Sequence, residues 1–526
     1  MEKLTFSTRA VPFFAPMESQ KAVDFDLAVV GGGINGAGIA RDAAGRGLRV
    51  MLVEQNDLAS GTSSASTKLI HGGLRYLEHG WFRLVREALA EREVLLRLAP
   101  HLIRPMRFVL PLEPGLQPRW LMRLGLFIYD HLGGRKILPA TRTINLARDA
   151  LGTPLKPRQR YGMEYSDCQT DDSRLVVLNA LDARERGAVI RTRTRCVGAE
   201  RGEDWRLVFE AGGGEESVTA RVLVNAAGPW AGIFNESVLH RPAPAGLRLD
   251  KGSHIVVRRL FEHDRGYIFR TRDKRVVFAL PFERNFTLVG TTDRSFSGDP
   301  GTATPTAEEI SYLCGVVDEH FRTPITPADV VWSFAGVRSL YDDGPINAQE
   351  PPQDTPRDYV LALDDGPAAA PLLTVYGGKI TTYRRLAQAA LDRLVPIVGG
   401  GPPWTASAPL PGGDFPVGDV ERLVSHTRSS WPFLSEAHAR RLSGAYGTRV
   451  GRILGAAKHL DDLGPVFGID LTGAEVRYLM AEEWAQTADD VLWRRSKLGL
   501  RVLPAERERL ARFMSEFRRG ACDPNP

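Results

Sequence analysis

Residues 31–38 read GGGINGAG and stand between an apolar, strand-like run (26–30, DLAVV) and a segment of helical character (39–46). A second apolar run, 48–53, follows and ends on Glu54. Strand, glycine turn, helix and strand in this order predict a βαβ unit with its two strands parallel in one sheet. Gly31, Gly33 and Gly36 keep the G-x-G-x-x-G spacing. That spacing lets a backbone approach a pyrophosphate at a helix N-terminus, where free N–H groups and the positive end of the helix dipole meet the anion. Glu54 lies 54 − 31 = 23 residues after Gly31. A carboxylate there accepts hydrogen bonds from an adenosine ribose and disfavours a 2′-phosphate. The unit predicts a dinucleotide-binding α/β chain and leaves FAD and NAD both open.

Two later segments bear on that choice. Residues 222–230 (VLVNAAGPW) form an apolar strand ending in small residues, which can return to the first sheet beside the cofactor. Residues 375–383 (VYGGKITTY) read as strand, glycine turn and helix start. A helix N-terminus at a flavin would stabilise negative charge on the reduced ring.

At 526 residues the chain exceeds one core, so two or three domains are expected. Apolar residues at 43% and charged residues at 25% exclude a disordered or fibrous chain. Helices are expected over 84–98 and over 173–185, the latter capped by Asp171 and Asp172. The runs 205–209 and 217–224 pair around three glycines, and 251–258, 276–280 and 286–292 read as further strands. This β-rich part is expected as a domain inserted into the first. GGGPP at 399–403 marks a linker, and a helical pattern runs from there to the end. Thr472 and Glu475 fit a capping box, and Pro504 fits the first turn of a last helix. Residues 1–23 read as a flexible leader, poor as a secretory signal.

Cys168, Cys196, Cys314 and Cys522 form no CxxC pair, which argues against a structural zinc site or a disulfide framework and fits a reducing compartment. Lys and Arg exceed Asp and Glu by 68 to 63, a balance that permits an anionic substrate or surface and selects neither. No run approaches the roughly 18 apolar residues of a spanning helix. The segment 119–129 mixes Arg119 and Arg123 with Trp120, Phe127, Ile128 and Tyr129, with Arg135 and Lys136 beyond it. It suits an interfacial helix and a core-packed one equally. Asp489, Asp490, Arg494 and Arg495 stand at i,i+4 or i,i+5, the pattern of surface ion pairs.

The strings GGGINGAGIARDAAGRGL, TSSASTKLIHGGLRYLE, FRLVREALAEREVLL, EYSDC, LVNAAGPW, KGSHIVV, GTTD, GVRSL, RDY, YGGKITTYRRLA and DDVLWRR occur in this order from about residue 24 to 498. On them the chain closely resembles the FAD-dependent, respiratory glycerol-3-phosphate dehydrogenases over nearly its whole length. The resemblance implies a Rossmann-like FAD-binding domain of the glutathione-reductase/D-amino-acid-oxidase type. Into it is inserted a β-rich substrate domain, and a C-terminal helical domain follows. The expected bounds are 24–400 for the FAD-binding part, with substrate segments near 75–170 and 245–350, and 401–526 for the cap. It implies FAD without a metal, oxidation of sn-glycerol 3-phosphate to dihydroxyacetone phosphate, and electron transfer to membrane quinone. The implied location is cytoplasmic, peripheral to an anionic membrane surface. A homodimer is compatible and nucleic acid is not a partner.

By the same resemblance, Gly31, Gly33, Gly36 and Glu54 hold the ADP half of the cofactor. Ser63, Ser64, Ser66, Lys68 and Leu69 line the pyrophosphate and ribityl chain. Gly228, Gly378, Lys379 and Thr382 lie near the flavin, and His71, which shares the chemical claim to be the base, is expected to pack beside it. Arg75, Tyr76, His254, Arg338, Arg357 and Lys379 meet the substrate. The chemistry of these residues agrees. A phosphate dianion suits forked arginine donors. Oxidising a secondary alcohol requires a group to take or stabilise the hydroxyl proton. His254 is the first choice of base, because histidine titrates near neutral pH. Arg338 is the alternative, as stabiliser of an alkoxide.

Competing readings differ in what they require. A glycerol-3-phosphate oxidase shares the binding residues and uses oxygen. An amine or amino-acid oxidase needs a carboxylate site instead of clustered cations. An RNA-binding flavoprotein needs a basic stripe with stacking aromatics, whereas here basic residues alternate with acids, as in Glu91-Arg92-Glu93.

Overall fold

The glycine turn opens a parallel sheet. Strand β1 (Phe25–Val30) leads through the turn into helix α1 (Ile34–Gly45), which returns the chain to strand β2 (Val50–Glu54). β1 lies between β2 and the strand Gly214–Asn225, parallel to both. Leu372–Gly377 extends the sheet on one side and Val189–Thr192 on the other, again parallel. Tyr359–Asp364 closes one edge antiparallel, and an antiparallel meander of Arg195–Arg201 and Trp205–Ala211 leads into Gly214–Asn225. The computed structural model describes residues 23–112, 118–134, 136–242, 246–271, 273, 275–341, 359–366 and 369–522. Nearly all of the expected leader, together with Arg135 and Arg357, lies outside the described residues.

Helix α1 begins at Ile34, not near 39 as its composition suggests. Gly36 and Gly38 lie inside it, and both are demanded by packing. A Cβ on Gly36 would stand 1.9 Å from the Gly31 carbonyl oxygen, and one on Gly38 would stand 2.8 Å from the Tyr383 ring. Tertiary contact here overrides the weak helix propensity of glycine. α1 packs between the helices Asp172–Glu185 and Tyr383–Val398, and Ile39, Ala40, Val176 and Leu391 join Leu27, Val29 and Leu52 in one buried core.

A second, mostly antiparallel sheet stands against the first. Its order runs Arg294–Ser295, Leu247–Arg258, Phe286–Gly290, Val276–Phe282, Gly266–Arg270, Arg104–Pro111, Gly162–Gln169, Leu69–Ile70, and Val330–Tyr341 also pairs with Leu247–Arg258. Arg104–Pro111 and Gly162–Gln169 escape the sequence reading because charged residues interrupt their alternation. In the fold those charges meet buried partners, Arg107 with Glu164 at 3.1 Å and Arg92 with Asp167 at 2.6 Å.

The C-terminal part carries the helices Val420–Ser430, Glu436–Tyr446, Gly473–Glu482 and Pro504–Cys522 around its own buried cluster. It is not helical throughout, since Val466–Phe467 pairs with Leu471–Thr472. Thr472 accepts from the Glu475 N–H at 3.3 Å. The reciprocal half of the expected capping box is missing from this pair, because Arg441 and the Tyr446 hydroxyl take the Glu475 carboxylate at 2.7 Å. The expectation of surface ion pairs at 489–495 is also corrected. Asp490 and Arg495 are fully buried, and Arg494 and Arg495 point into the FAD-binding part.

Candidate active site

Between the two sheets lies a cavity of about 850 Å³. Glu54 stands at one end of it. Its carboxylate accepts from the Gly32 N–H at 2.7 Å and the Asn56 N–H at 2.8 Å. Burial raises its pKa, and these two donors oppose the rise. Gly31 and Gly33 form the adjacent wall. Gly31 has φ +116°, and a Cβ there would stand 2.4 Å from the Ala226 carbonyl oxygen, so neither the conformation nor the space admits a side chain. Gly33 precedes α1 and gives it no side-chain cap. Gly36 lies behind the wall, where it seats α1 on the turn. Asn35 anchors the turn to the far side through its amide, which donates to the Gly377 carbonyl at 3.1 Å, while its Oδ1 is buried with no protein partner. A carboxylate, a side-chain-free turn, a helix N-terminus and an orphaned amide oxygen along one wall fit a dinucleotide.

The segment 60–71 forms the middle of the cavity. Ser63, Ser66, Leu69 and His71 line it, and the Ser63 hydroxyl accepts from the Ile34 N–H at 3.0 Å. Ser64 instead donates to the Gly61 carbonyl at 3.3 Å. Lys68 is buried in a left-handed conformation (φ +61°). Its ammonium is held by Asp172 at 2.8 Å and by the Ser64 carbonyl at 2.9 Å, and it does not line the cavity. Gly228, Gly378 and Lys379 also line it, Gly228 next to the Ala226–Ala227 backbone that lies against Gly31 and Gly378 against Asn35. Thr382 is buried, and the neighbouring Thr381 reaches the wall and accepts from the His71 N–H at 3.2 Å.

Of the residues expected to meet the substrate, Tyr76, His254, Arg338 and Lys379 share this cavity. The Lys379 ammonium sits 3.9 Å from the centre of the Tyr76 ring. Arg338 stands opposite Asp250 on neighbouring strands, and its Nη2 donates to Asp250 at 2.8 Å and Asp293 at 2.6 Å. The His254 Nε2 is 3.0 Å from the Thr67 hydroxyl, and its ring stacks on Phe334 at 4.9 Å. Burial, then the nearby cations Lys68 and Arg338, push its pKa down to about 3, so the ring is neutral at physiological pH.

Arg75 faces a second, more apolar cavity of about 510 Å³, which shares His71, Tyr76 and Thr291 with the first. The helix Arg119–Leu132 covers it. Met122, Gly125 and Ile128 face inward, while Trp120 is 68% exposed and Phe127 59% exposed on the outer face. The helix is tied to the active-site segment. The Gly72 N–H donates to the Tyr129 hydroxyl at 2.8 Å, and that hydroxyl donates to Asp167 at 2.8 Å. Thr67, Phe334, Asp250 and Asn35 are site residues that the sequence reading passes over. Thr67 had a local signal, lying between Ser66 and Lys68; Phe334 and Asp250 reach the site only through strand pairing.

The comparisons with known proteins agree with this architecture. Residues 26–384 match the family described as FAD dependent oxidoreductase, and residues 403–518 match the C-terminal domain of alpha-glycerophosphate oxidase. A glycerol-3-phosphate dehydrogenase of Pseudomonas aeruginosa is 53% identical over 93% of this chain and 95% of its own length. The chain belongs to the family of FAD-dependent glycerol-3-phosphate dehydrogenases. A D-erythritol 1-phosphate dehydrogenase of Brucella abortus is 49% identical to this family member over 92% of the chain and 96% of its own length. A solved structure, the glycerol-3-phosphate dehydrogenase of Bacillus halodurans complexed with FAD, superposes with a TM-score of 0.72 at 26% identity and covers 94% of each chain. FAD is the cofactor of this oxidoreductase family.

Proposed function

We propose that the protein oxidises sn-glycerol 3-phosphate to dihydroxyacetone phosphate and passes the electrons to membrane quinone. The observation that carries the substrate half is that Arg338, Lys379, Tyr76 and a neutral His254 line one cavity with the glycine turn and Glu54. Arg338 and Lys379 take the phosphate and hold the hydroxyl toward His254, and Arg75 adds its charge from the adjoining cavity. Held by Asp250 and Asp293, Arg338 presents a fixed guanidinium. The hydroxyl proton passes to the uncharged His254 ring, whose Nε2 is oriented by Thr67. A bound dianion favours the protonated ring and so raises its affinity for that proton. Bound FAD supplies the acceptor for the two electrons that leave with the C2 hydrogen. In this reading Gly31, Gly33, Gly36 and Glu54 hold the ADP half. Ser63, Ser64, Ser66, Lys68 and Leu69 shape the middle, and His71, Gly228, Gly378, Lys379 and Thr382 shape the flavin end. The FAD-binding part spans 24–400 with substrate segments near 75–170 and 245–350, and the cap spans 401–526.

For the acceptor, the supporting observation is the helix Arg119–Leu132. Its outer face combines exposed Trp120 and Phe127 with Arg123, Leu121 and Leu124 are exposed where they also line the second cavity, and exposed Lys136 lies just beyond the helix. An interfacial helix of this kind lies on an anionic bilayer, here at the cytoplasmic membrane, and opens the apolar second cavity to a lipid-borne quinone. Among the described residues no helix is long and apolar enough to cross a membrane.

An anaerobic titration tests the substrate. sn-Glycerol 3-phosphate is expected to bleach the oxidised-flavin band, and His254→Ala to slow that bleaching by about a hundredfold or more. D-erythritol 1-phosphate is the competitor to run beside it, because a relative 49% identical is named for that substrate and the two cavities share His71, Tyr76 and Thr291 in their walls. Faster bleaching by the four-carbon substrate would replace the proposed one. For the acceptor, Trp120→Ser with Phe127→Ser is expected to weaken binding to anionic vesicles while turnover with a water-soluble dye stays within about twofold.

A further inference from the structure

The string DDVLWRR has no place in the site described so far, yet its residues reach that site from behind. Asp490–Arg495 forms a π-helical turn, a rare geometry that clusters at functional positions, and Lys497 follows it in a left-handed conformation (φ +73°). Asp490 fixes the turn by accepting from the N–H groups of Gln486 and Thr487 at 2.7 and 2.9 Å.

Besides an ion pair of Asp490 with Arg193 at 2.8 Å, three contacts of this turn bear on the site. The first goes to Asp57. The Arg495 guanidinium donates to both of its carboxylate oxygens at 2.8 Å, and the Arg494 Nε donates at 2.6 Å. Asp57 and Arg495 are wholly buried. Asp57 lies three residues after Glu54 and its carbonyl accepts from the Ser60 N–H at 3.1 Å, so it braces the loop whose Gln55, Asn56 and Ser60 to Ser63 line the cofactor cavity. The second contact goes to the segment 171–173. The Lys497 ammonium donates to the Ser173 hydroxyl at 2.6 Å and to Asp171 at 3.2 Å, and the adjacent Asp172 holds Lys68 and the Ser66 hydroxyl. The third is aromatic. Trp493 packs on Trp332 at 4.6 Å, Trp332 on Phe334 at 4.6 Å, and Phe334 on His254.

Buried ion pairs add little net stability compared with apolar residues of the same volume, and their best-attested use is to fix register. Here the fixed parts are the cofactor loop and the ring of the candidate base. We propose that the turn 490–497 of the C-terminal domain is a positioning element of the flavin site, holding the loop 55–63 against the cofactor through Asp57 and holding the His254 ring through the Trp493–Trp332–Phe334 column. The loop half rests on the FAD assignment and is independent of which polyol phosphate is oxidised.

The test uses the purified holoenzyme and follows FAD release after dilution, by the fluorescence of freed FAD and by flavin-to-protein absorbance. Arg495→Gln is expected to speed release by about tenfold or more, and Arg495→Lys by less, since it restores the charge without the fork. Arg507→Gln, which removes an exposed pair with Asp489 in the same domain, leaves release unchanged. Trp493→Leu lowers the rate of flavin reduction by substrate with KM within about twofold, and Trp493→Phe restores most of it. An Arg495→Gln protein with parental circular dichroism and parental FAD release would overturn the proposal. Where that variant does not fold, parental release from Arg495→Lys overturns it equally. Because release is read without substrate, its outcome stays separate from the substrate assignment.

Discussion

The glycine turn at 31–36 and the arginine turn at 490–495 brace the same cofactor wall by opposite means. The first works by having no side chains. Gly31 and Gly36 bring backbone to within a distance that a methyl group would close, and the turn offers N–H groups that carry no net charge. The second works through long charged side chains carried from another domain into a dry seam, where Arg494 and Arg495 meet Asp57. The glycine turn is local in sequence and tolerates no added atom. The arginine turn is distant in sequence, depends on ionisation, and fails when one partner is lost.

The largest expected effect comes from filling the glycine turn. Gly36→Val places its Cβ on the Gly31 carbonyl, backbone against backbone, and the purified protein is expected to be colourless and to take up no FAD on reconstitution. Absorbance of the oxidised flavin reads this directly. The seam is expected to yield by degrees. Asp57→Asn leaves two arginines facing a neutral amide and should destabilise the protein by about 3–5 kcal/mol, seen as an earlier denaturant midpoint. In a double-mutant cycle with Arg495→Gln, the double variant should lose less than the sum of the singles.

Acid separates the two turns further. His101 is buried at the seam beside Phe415, and burial with Arg174, Arg104 and Arg449 nearby pushes its pKa down to about 3. The unfolded chain takes up this proton near pH 6.5, so between about 6.5 and 3 the unfolded state binds more protons and stability falls as the pH drops. His101→Phe should flatten that fall by about 1–3 kcal/mol at pH 4.5, measured as thermal midpoint against pH in both proteins. The smallest effect is expected at Glu54. Glu54→Gln keeps the shape and weakens the acceptor to the ribose, with an affinity loss for FAD of about tenfold in a fluorescence titration of the apoprotein.

The same contrast explains what could be read from the chain alone. The βαβ unit was legible because its signals are consecutive: an apolar strand, glycines at fixed spacing, a helix and a carboxylate. Its error was the start of α1, where glycines demanded by packing hide a helix. The strand pair around Gly212 and Gly213 and the strand carrying His254 were likewise visible as local patterns. Buried charge was not. Arg494 and Arg495 look like surface residues until the fold sets Asp57 against them, and nothing local to Lys68 shows that its ammonium is buried against Asp172. Tyr76, His254, Arg338 and Lys379 were named from recurring strings, but Thr67, Phe334 and Asp250, which orient His254 and Arg338, depend on contacts between segments far apart in sequence.

The separation of Asp57 from Arg495 sets a timetable for the growing chain. The two partners are 438 residues apart. At about 5–20 residues per second, the cofactor loop leaves the ribosome roughly 20 to 90 s before the arginines that brace it. The nascent FAD-binding part therefore emerges with its loop unclamped, and the brace closes only after Arg494 and Arg495 have followed it.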